Sequence, residues 1–105
     1  MRFCFLINPT DHWQQAVEHC LHLVQLARSS HDPAVFFYGT AVNIIDDPKL
    51  CKRWHDLSNQ PLYLCRTMMD AHNIEDKTID PAFEVIGMAP WIKLMEQADR
   101  IVEIC

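Results

Sequence analysis

Short apolar runs alternate with helix-like segments along all 105 residues of this chain. Runs of this kind, separated by amphipathic stripes, are typical of strands that are joined by crossover helices. Such connections favour parallel pairing, and they place helices on the faces of the sheet. The sequence therefore predicts one α/β domain over residues 1–105, with a mainly parallel five-stranded sheet, helices on both faces and flavodoxin-like layering. The predicted strands are residues 3–7, 34–38, 62–65, 83–86 and 101–104.

Several local signals mark the boundaries of the helices. Asp46, Asp47 and Pro48 form an acidic cap followed by proline, which is typical of a helix start. Asn73 follows a short helix-like stretch and is a candidate for a left-handed C-cap. We expect loops at residues 39–42 and 75–81, and a last helix that opens at residues 89–90. The apolar helical stripes include all three tryptophans, which we expect in the core: Trp13, Trp54 and Trp91.

Charge and cysteine content exclude several classes of protein. The net charge is −5 and only nine residues are Lys or Arg, so the basic stripe of a nucleic-acid-binding protein is missing. The chain shows neither a secretory leader nor a segment long enough to span a membrane. Five cysteines, an odd number without a CxxC pair, argue against a disulfide framework or a structural zinc site. We therefore expect a cytoplasmic protein that binds neither nucleic acid directly nor membranes.

Cys65 is the principal candidate for chemistry. It closes the apolar run 61–65, and a helix-like stretch begins at Arg66. Backbone N–H groups at a helix N-terminus favour an anion, and a thiolate is the reactive form of cysteine. Arg66 adds positive charge next to the thiol. The alternative is a buried, inert core cysteine, which is common for this residue type.

The remaining cysteines and the histidines suggest less. Cys4, Cys20 and Cys51 fall on apolar faces and are expected in the core, whereas Cys105 ends the chain and is expected to be exposed. His19 and His22 lie three residues apart on one helix, a spacing that can begin a metal site. A third ligand is not evident, so a solvated polar face is the favoured interpretation and no metal is assigned.

Three segments together resemble the DsrE/DsrF family, which includes TusD. Residues 37–42 are similar to that family's strand and following loop, and residues 62–65 to the strand that ends in its sulfur-carrying cysteine. Residues 83–88 and 98–102 resemble its last helix and strand, where an Asp-Arg pair opens the closing strand. The helix after Cys65 departs from the pattern: it contains the bulky pair Met68-Met69 where small residues are typical.

The resemblance implies a small α/β fold and a sulfur relay in which Cys65 holds a persulfide and passes the sulfur to a cysteine of a partner protein. It implies no cofactor, and its partners are related DsrE-like subunits in a homo- or hetero-oligomer, with separate sulfur donor and acceptor proteins. Family members serve 2-thiouridine formation in tRNA or bacterial sulfur oxidation, and the sequence does not separate the two. A non-catalytic subunit of the same fold is the alternative. The residues expected to support the thiolate or shape its pocket are Arg66, Gly39, Thr40, Gly87 and Met88.

Overall fold

A computed structural model describes residues 1–29, 31–57, 60–75 and 79–105 of the chain. All five strands form one parallel sheet in the order β4-β3-β2-β1-β5. The strands are β1 (Arg2–Ile7), β2 (Asp32–Phe37), β3 (Leu62–Cys65), β4 (Phe83–Ile86) and β5 (Arg100–Ile104). The helices are α1 (Trp13–Ala27), α2 (Pro48–His55), α3 (Arg66–Ala71) and α4 (Met88–Glu96), with a 3-10 helix at Gly39–Asp46. The predicted α/β class, strand number and parallel pairing are confirmed.

Local signals fixed several helix ends as expected. The Asp47 side chain accepts a hydrogen bond from the N–H of Leu50 at 3.2 Å, and Pro48 opens α2. Asn73 has a φ of 57°, so the predicted left-handed cap after α3 is confirmed. The last helix begins at Met88, one residue earlier than predicted, with Gly87 as its N-cap.

The prediction of a loop after β2 was wrong. Residues 39–42 belong to the 3-10 helix, which continues to Asp46. Its apolar residues Ala41, Val42 and Ile44 are buried, because the segment packs against α1, α2 and α3. Burial of an apolar segment requires its backbone polar groups to be paired, and a helical turn does this locally. Part of the polar loop predicted at 75–81 lies outside the described residues.

The order of the strands places the helices unequally on the two faces of the sheet. The chain steps in one direction from β1 to β4, and right-handed crossovers put α1, α2 and α3 on the same face. The return from β4 to β5 runs in the other direction and puts α4 on the opposite face. The ring contacts agree with this placement of the helices. Phe37 of β2 contacts Trp54 of α2, and the preceding residue, Phe36, stacks on Trp91 of α4.

We call the face under α1, α2 and α3 the closed face. Side chains alternate along each strand, so paired residues of neighbouring strands point to the same face. Its central members are fully buried: Ile7, Val35, Phe37 and Leu64 are each 0% exposed. Phe37 makes edge-on contacts with Trp54 and Phe83, with ring centroids 5.0 and 5.5 Å apart. This face holds most of the core.

We call the other face the open face, and within the described residues α4 is the one helix that covers it. Trp91 is 0% exposed and stacks on Phe36 at a centroid distance of 4.8 Å. Leu6, Tyr38 and Tyr63 on this face are only half-buried. Ile101 on the β5 edge is 54% exposed. A single helix is about 10 Å across, too narrow to cover five strands that span about 19 Å between the axes of the outer strands.

The sequence predicted no segment long enough to span a membrane, and the helices can be examined for length and apolar character. In the described part of the chain, none of the helices has the length and apolar character needed to cross a bilayer.

Candidate functional site at the carboxyl end of β3

Cys65 is the last residue of β3 and the N-cap of α3. Its backbone is extended, with φ −73° and ψ 120°, so its side chain continues the alternation of the strand. Leu64 faces the closed side, and Cys65 therefore faces the open side. The sequence placed this thiol correctly at a junction between strand and helix.

Two side chains flank Cys65 on the open face. Its partner in the register of β4 is Ile86. On the other side, Phe37 pairs with Leu64, so the next residue of the chain, Tyr38, lies level with Cys65. The sequence predicted that the segment beginning at Tyr38 lies at the same edge of the sheet as Cys65, but Tyr38 was not among the predicted site residues. Only the register of β2 against β3 identifies it as a neighbour of the thiol.

The thiol lies below the surface. Cys65 is 1% exposed, in contrast to Cys105, which is exposed at the end of the chain. α3 contains six residues, and its first turn has no acidic side chain that would repel an anion. The chemistry expected of Cys65 therefore requires a movement, or a partner, that opens a path to the sulfur.

Arg66, which was predicted to add positive charge next to the thiol, forms an ion pair along α3. Its guanidinium nitrogen lies 4.0 Å from Asp70 Oδ1, one turn further along α3. Both side chains are well exposed, at 42% and 68%. A surface pair of this kind contributes little, and its positive charge is partly balanced by the carboxylate.

Gly39 has a backbone conformation that favours glycine. Its φ of 59° lies in the left-handed region, where a side chain is strained. A Cβ there would meet Asn8 Oδ1 at 3.3 Å. The loops after β1 and β2 thus approach closely, and they are tied by the Tyr38 N–H, which donates to the Ile7 carbonyl at 2.9 Å.

Thr40 follows Gly39 and starts the 3-10 helix. Its carbonyl accepts a hydrogen bond from Asn43 Nδ2 at 3.0 Å. Its hydroxyl oxygen is buried and has no hydrogen-bond partner among the described residues. The 3-10 helix that Thr40 belongs to packs against both β3 and α3.

Gly87 and Met88 lie on the other side of Cys65. They directly follow Ile86, the β4 residue that pairs with Cys65. Met88 is 37% exposed and opens α4. All five supporting residues predicted from the sequence thus come from segments that begin at the carboxyl ends of β2, β3 and β4, as the topology of a parallel sheet dictates.

Cys4, Cys20 and Cys51 have surroundings that disfavour a thiolate. Burial raises the pKa of the Cys20 thiol on α1. Burial also raises the pKa of Cys4, against a smaller opposing effect of Arg2. For Cys51, burial raises the pKa and the carboxylates of Asp80 and Asp47 add to the effect. These three residues are 0 to 8% exposed, as expected for core positions.

The histidine pair lies on the surface of α1. His19 and His22 are both exposed, and His22 Nε2 lies 3.3 Å from an Arg53 guanidinium nitrogen. The described residues contain no group of three histidine, cysteine or carboxylate side chains able to hold a metal ion. The alternative of a metal site therefore finds no third ligand there.

Comparison with known proteins identifies the family. The model of the DsrE/DsrF-like family matches residues 1–104, and the chain belongs to that family. The resemblance stated from the sequence is thereby confirmed. No curated protein sequence gives a significant match.

Among solved structures, the chain is similar to the crystal structure of the YchN protein from E. coli. The two share 16% sequence identity with a TM-score of 0.67, and the match covers 99% of this chain and 100% of the other. At this identity the likeness shows a common fold, and the fold confirms the DsrE-like layering expected from the sequence.

Proposed function

We propose that this protein is a sulfur carrier that holds a persulfide on Cys65 and passes the sulfur to a cysteine of a partner protein. The observation that carries the proposal is the position of Cys65 in a chain of the DsrE/DsrF-like family. Cys65 ends β3 at the carboxyl edge of the sheet, between the carboxyl ends of β2 and β4. A sulfur-relay role is the activity that family membership suggests.

The chemistry needs one thiolate and no cofactor. The Cys65 thiolate attacks the outer, sulfane sulfur of a donor persulfide, and a new S–S bond forms. The S–S bond of the donor breaks, and the donor cysteine leaves as a thiolate that takes up a proton. In the second step a partner thiolate attacks the outer sulfur on Cys65, and the Cys65 thiolate is released. No net oxidant or reductant is consumed.

Related subunits are proposed to pack on the open face. Met88 and Ile92 are 37% and 44% exposed and lie one turn apart on α4, and Ile101 is 54% exposed on β5. Between the sheet and α4, at the opposite edge from Cys65, a cavity of about 320 Å³ is lined by Cys4, Tyr63 and Leu94, among others. Exposed apolar side chains beside an incompletely covered sheet are typical of interaction surfaces. A subunit bound there would lie on the same face as the thiol.

Sulfur loading tests the proposal directly. We would treat the protein with a sulfane-sulfur donor and measure intact mass and peptide mass for the wild type, Cys65→Ser and Cys105→Ser. The proposal expects one added sulfur on Cys65, lost in Cys65→Ser. Cys105→Ser controls for an exposed thiol that reacts without a site. Loading confined to Cys105, with the fold intact, would contradict the proposal.

One observation favours a second candidate function, a non-catalytic subunit of the same fold. Cys65 is 1% exposed, as buried as the core cysteine Cys20 at 0%. If Cys65 is core, the two thiols will alkylate at similarly low rates across a series of pH values. The sulfur-carrier proposal expects Cys65 to alkylate much faster than Cys20 at pH 7, because the thiolate is the form that reacts.

A further inference from the structure

The Cys65 side chain is the middle one of three that stand in a row on the open face. On one side, strand pairing joins Cys65 directly to Ile86 of β4. On the other side, the last pair of β2 and β3 is Phe37–Leu64. The next residues, Tyr38 and Cys65, both keep an extended backbone and so continue this register. Neighbouring strands lie about 4.8 Å apart, which places the three side chains next to each other.

The Tyr38 ring rises from the sheet beside Cys65. Its centroid lies 6.2 Å from that of Phe36, two residues earlier on the same face, and the planes of the two rings differ by 30°. Residues at this spacing in a strand are about 6.6 Å apart, so the two side chains leave the sheet in nearly the same direction. Phe36 is itself held upright against Trp91 at 4.8 Å. The Tyr38 ring therefore forms one side of a slot that has Ile86 on its other side, which we call the thiol slot.

The burial of the three residues differs in an informative way. Cys65 is 1% exposed, whereas Tyr38 and Ile86 are only half-buried. A sulfur covered by half-buried side chains becomes accessible when one of them turns away. Ile86 is β-branched and therefore stiff at χ1. Tyr38 lies at the free end of β2, where its ring can turn towards solvent without disturbing the closed face.

We propose that Tyr38 determines which sulfur donors can reach Cys65. The thiol slot admits a terminal persulfide, –S–SH, that projects from its carrier, and it excludes one that is set back among bulky groups. The inference rests on the proposed sulfur-carrier function and adds a specificity-determining residue to it. The ring acts by its size, forms no bond to the sulfur and transfers no proton, so the balance of the relay is unchanged.

The test measures how fast Cys65 reacts with a small and a bulky reagent. Iodoacetamide and a pyrene-labelled maleimide are applied separately, and peptide mass spectrometry follows the modification of Cys65 between pH 6 and pH 9. The variants are Tyr38→Ala, Tyr38→Phe and Tyr63→Ala. Tyr63 is a matched control, because it is a half-buried tyrosine of the open face whose side chain lines cavities at the opposite edge of the sheet.

The proposal expects Tyr38→Ala to react about tenfold faster than the wild type with the bulky maleimide and about twofold faster with iodoacetamide, because access limits the rate. Tyr38→Phe keeps the size of the ring and should behave like the wild type, as should Tyr63→Ala. The pH at which the rate is half-maximal should stay the same in every variant. A shift of that pH without a gain in the maximal rate would show that Tyr38 acts on ionisation of the thiol and would overturn the steric role.

Two further results would also overturn the inference. One is an unchanged rate with the bulky maleimide in Tyr38→Ala, and the other is an equal gain in Tyr63→Ala, which would indicate general loosening of the open face. Thermal unfolding establishes that each variant is folded. If Tyr38→Ala is not, Tyr38→Leu takes its place, because leucine keeps an apolar contact with Phe36 and removes the outer part of the ring.

Sulfur loading of the same proteins separates this inference from the proposed function. Loading of the wild type on Cys65, combined with unchanged alkylation rates in Tyr38→Ala, would leave the sulfur-carrier function intact and remove the role of Tyr38. If the wild type takes up no sulfur on Cys65, the proposed function fails, and donor selection by Tyr38 fails with it. The alkylation rates then still decide whether Tyr38 controls access to the thiol.

Discussion

The two faces of the sheet differ in how completely they are covered. The closed face is buried under three helices and the 3-10 helix, and its central side chains are 0% exposed. Among the described helices the open face has α4 alone, and Leu6, Tyr38 and Tyr63 stay half-buried there. Cys65 lies on this second face. The face of the sheet that contributes most of the core is therefore separate from the face on which the candidate site lies.

This separation has a simple physical reason. Apolar burial contributes about 25 cal/mol per Å², so the closed face supplies most of the stability. A site that must admit a partner thiol cannot be packed as tightly, because packed cores deform at high cost. The open face can therefore change its contacts without loss of the main core.

The largest expected difference is between two leucines, one on each face. Leu64→Ala on the closed face should lower the free energy of unfolding by about 2–5 kcal/mol, since the residue is 0% exposed and its removal leaves a cavity. Leu6→Ala on the open face should cost about 1 kcal/mol, because Leu6 is only half-buried. Urea denaturation of both variants measures the difference. Equal costs would show that the open face is covered as fully as the closed face, for example by another subunit.

A smaller difference is expected between the glycines that open an element on each face. Gly39→Ala, at the start of the 3-10 helix, should lower the free energy of unfolding by about 1–2 kcal/mol, because its φ is 59° and Asn8 Oδ1 lies 3.3 Å from the new Cβ. Gly87→Ala, before α4, has a φ of −82° and meets only Pro90 Cδ at 3.9 Å. It should change the free energy of unfolding by less than about 0.5 kcal/mol, because the smaller entropy of the unfolded chain offsets the poorer capping by alanine at this N-cap. Thermal unfolding of the pair would refute this account if Gly87→Ala were the more damaging change.

The smallest expected effect depends on pH and concerns the closed face alone. Burial raises the pKa of the Asp80 carboxyl, but hydrogen bonds from the Ala82 N–H and His55 outweigh it and lower the pKa below its usual value. His55 Nδ1 and Asp80 Oδ1 are 2.8 Å apart, which ties α2 to the segment before β4. A lowered carboxyl pKa stabilises the fold above the unfolded pKa of about 3.9, and this contribution is lost as pH falls through the folded value.

Asp80→Asn should therefore cost less than about 1 kcal/mol at pH 6 and nothing further once the pH is below the folded pKa. Unfolding in urea between pH 2 and pH 7 measures the effect, with the exposed Asp46→Asn as the control. An Asp80→Asn curve parallel to the wild type across the whole range would show that the pair contributes no pH-dependent stability.

Sequence patterns predicted most of the fold because their signals are local. The start of α2 at Asp47 and Pro48 and the left-handed Asn73 follow from backbone chemistry that neighbouring residues decide. The 3-10 helix was missed for the opposite reason. Its residues looked like a loop after a strand, and only packing against three helices explains why Ala41, Val42 and Ile44 are buried.

The candidate site likewise has features that the sequence predicted and features that depend on the tertiary structure. The sequence by itself determined the parallel α/β layering, the family, and the position of Cys65 where a strand meets a helix, because apolar periodicity and turn residues are written along the chain. Only the tertiary structure decided that Tyr38 lies beside Cys65, that the thiol is 1% exposed, and that the Thr40 hydroxyl is buried without a partner in the described residues. These properties depend on strand register and on the unequal covering of two faces, which arise from contacts between residues distant in the sequence.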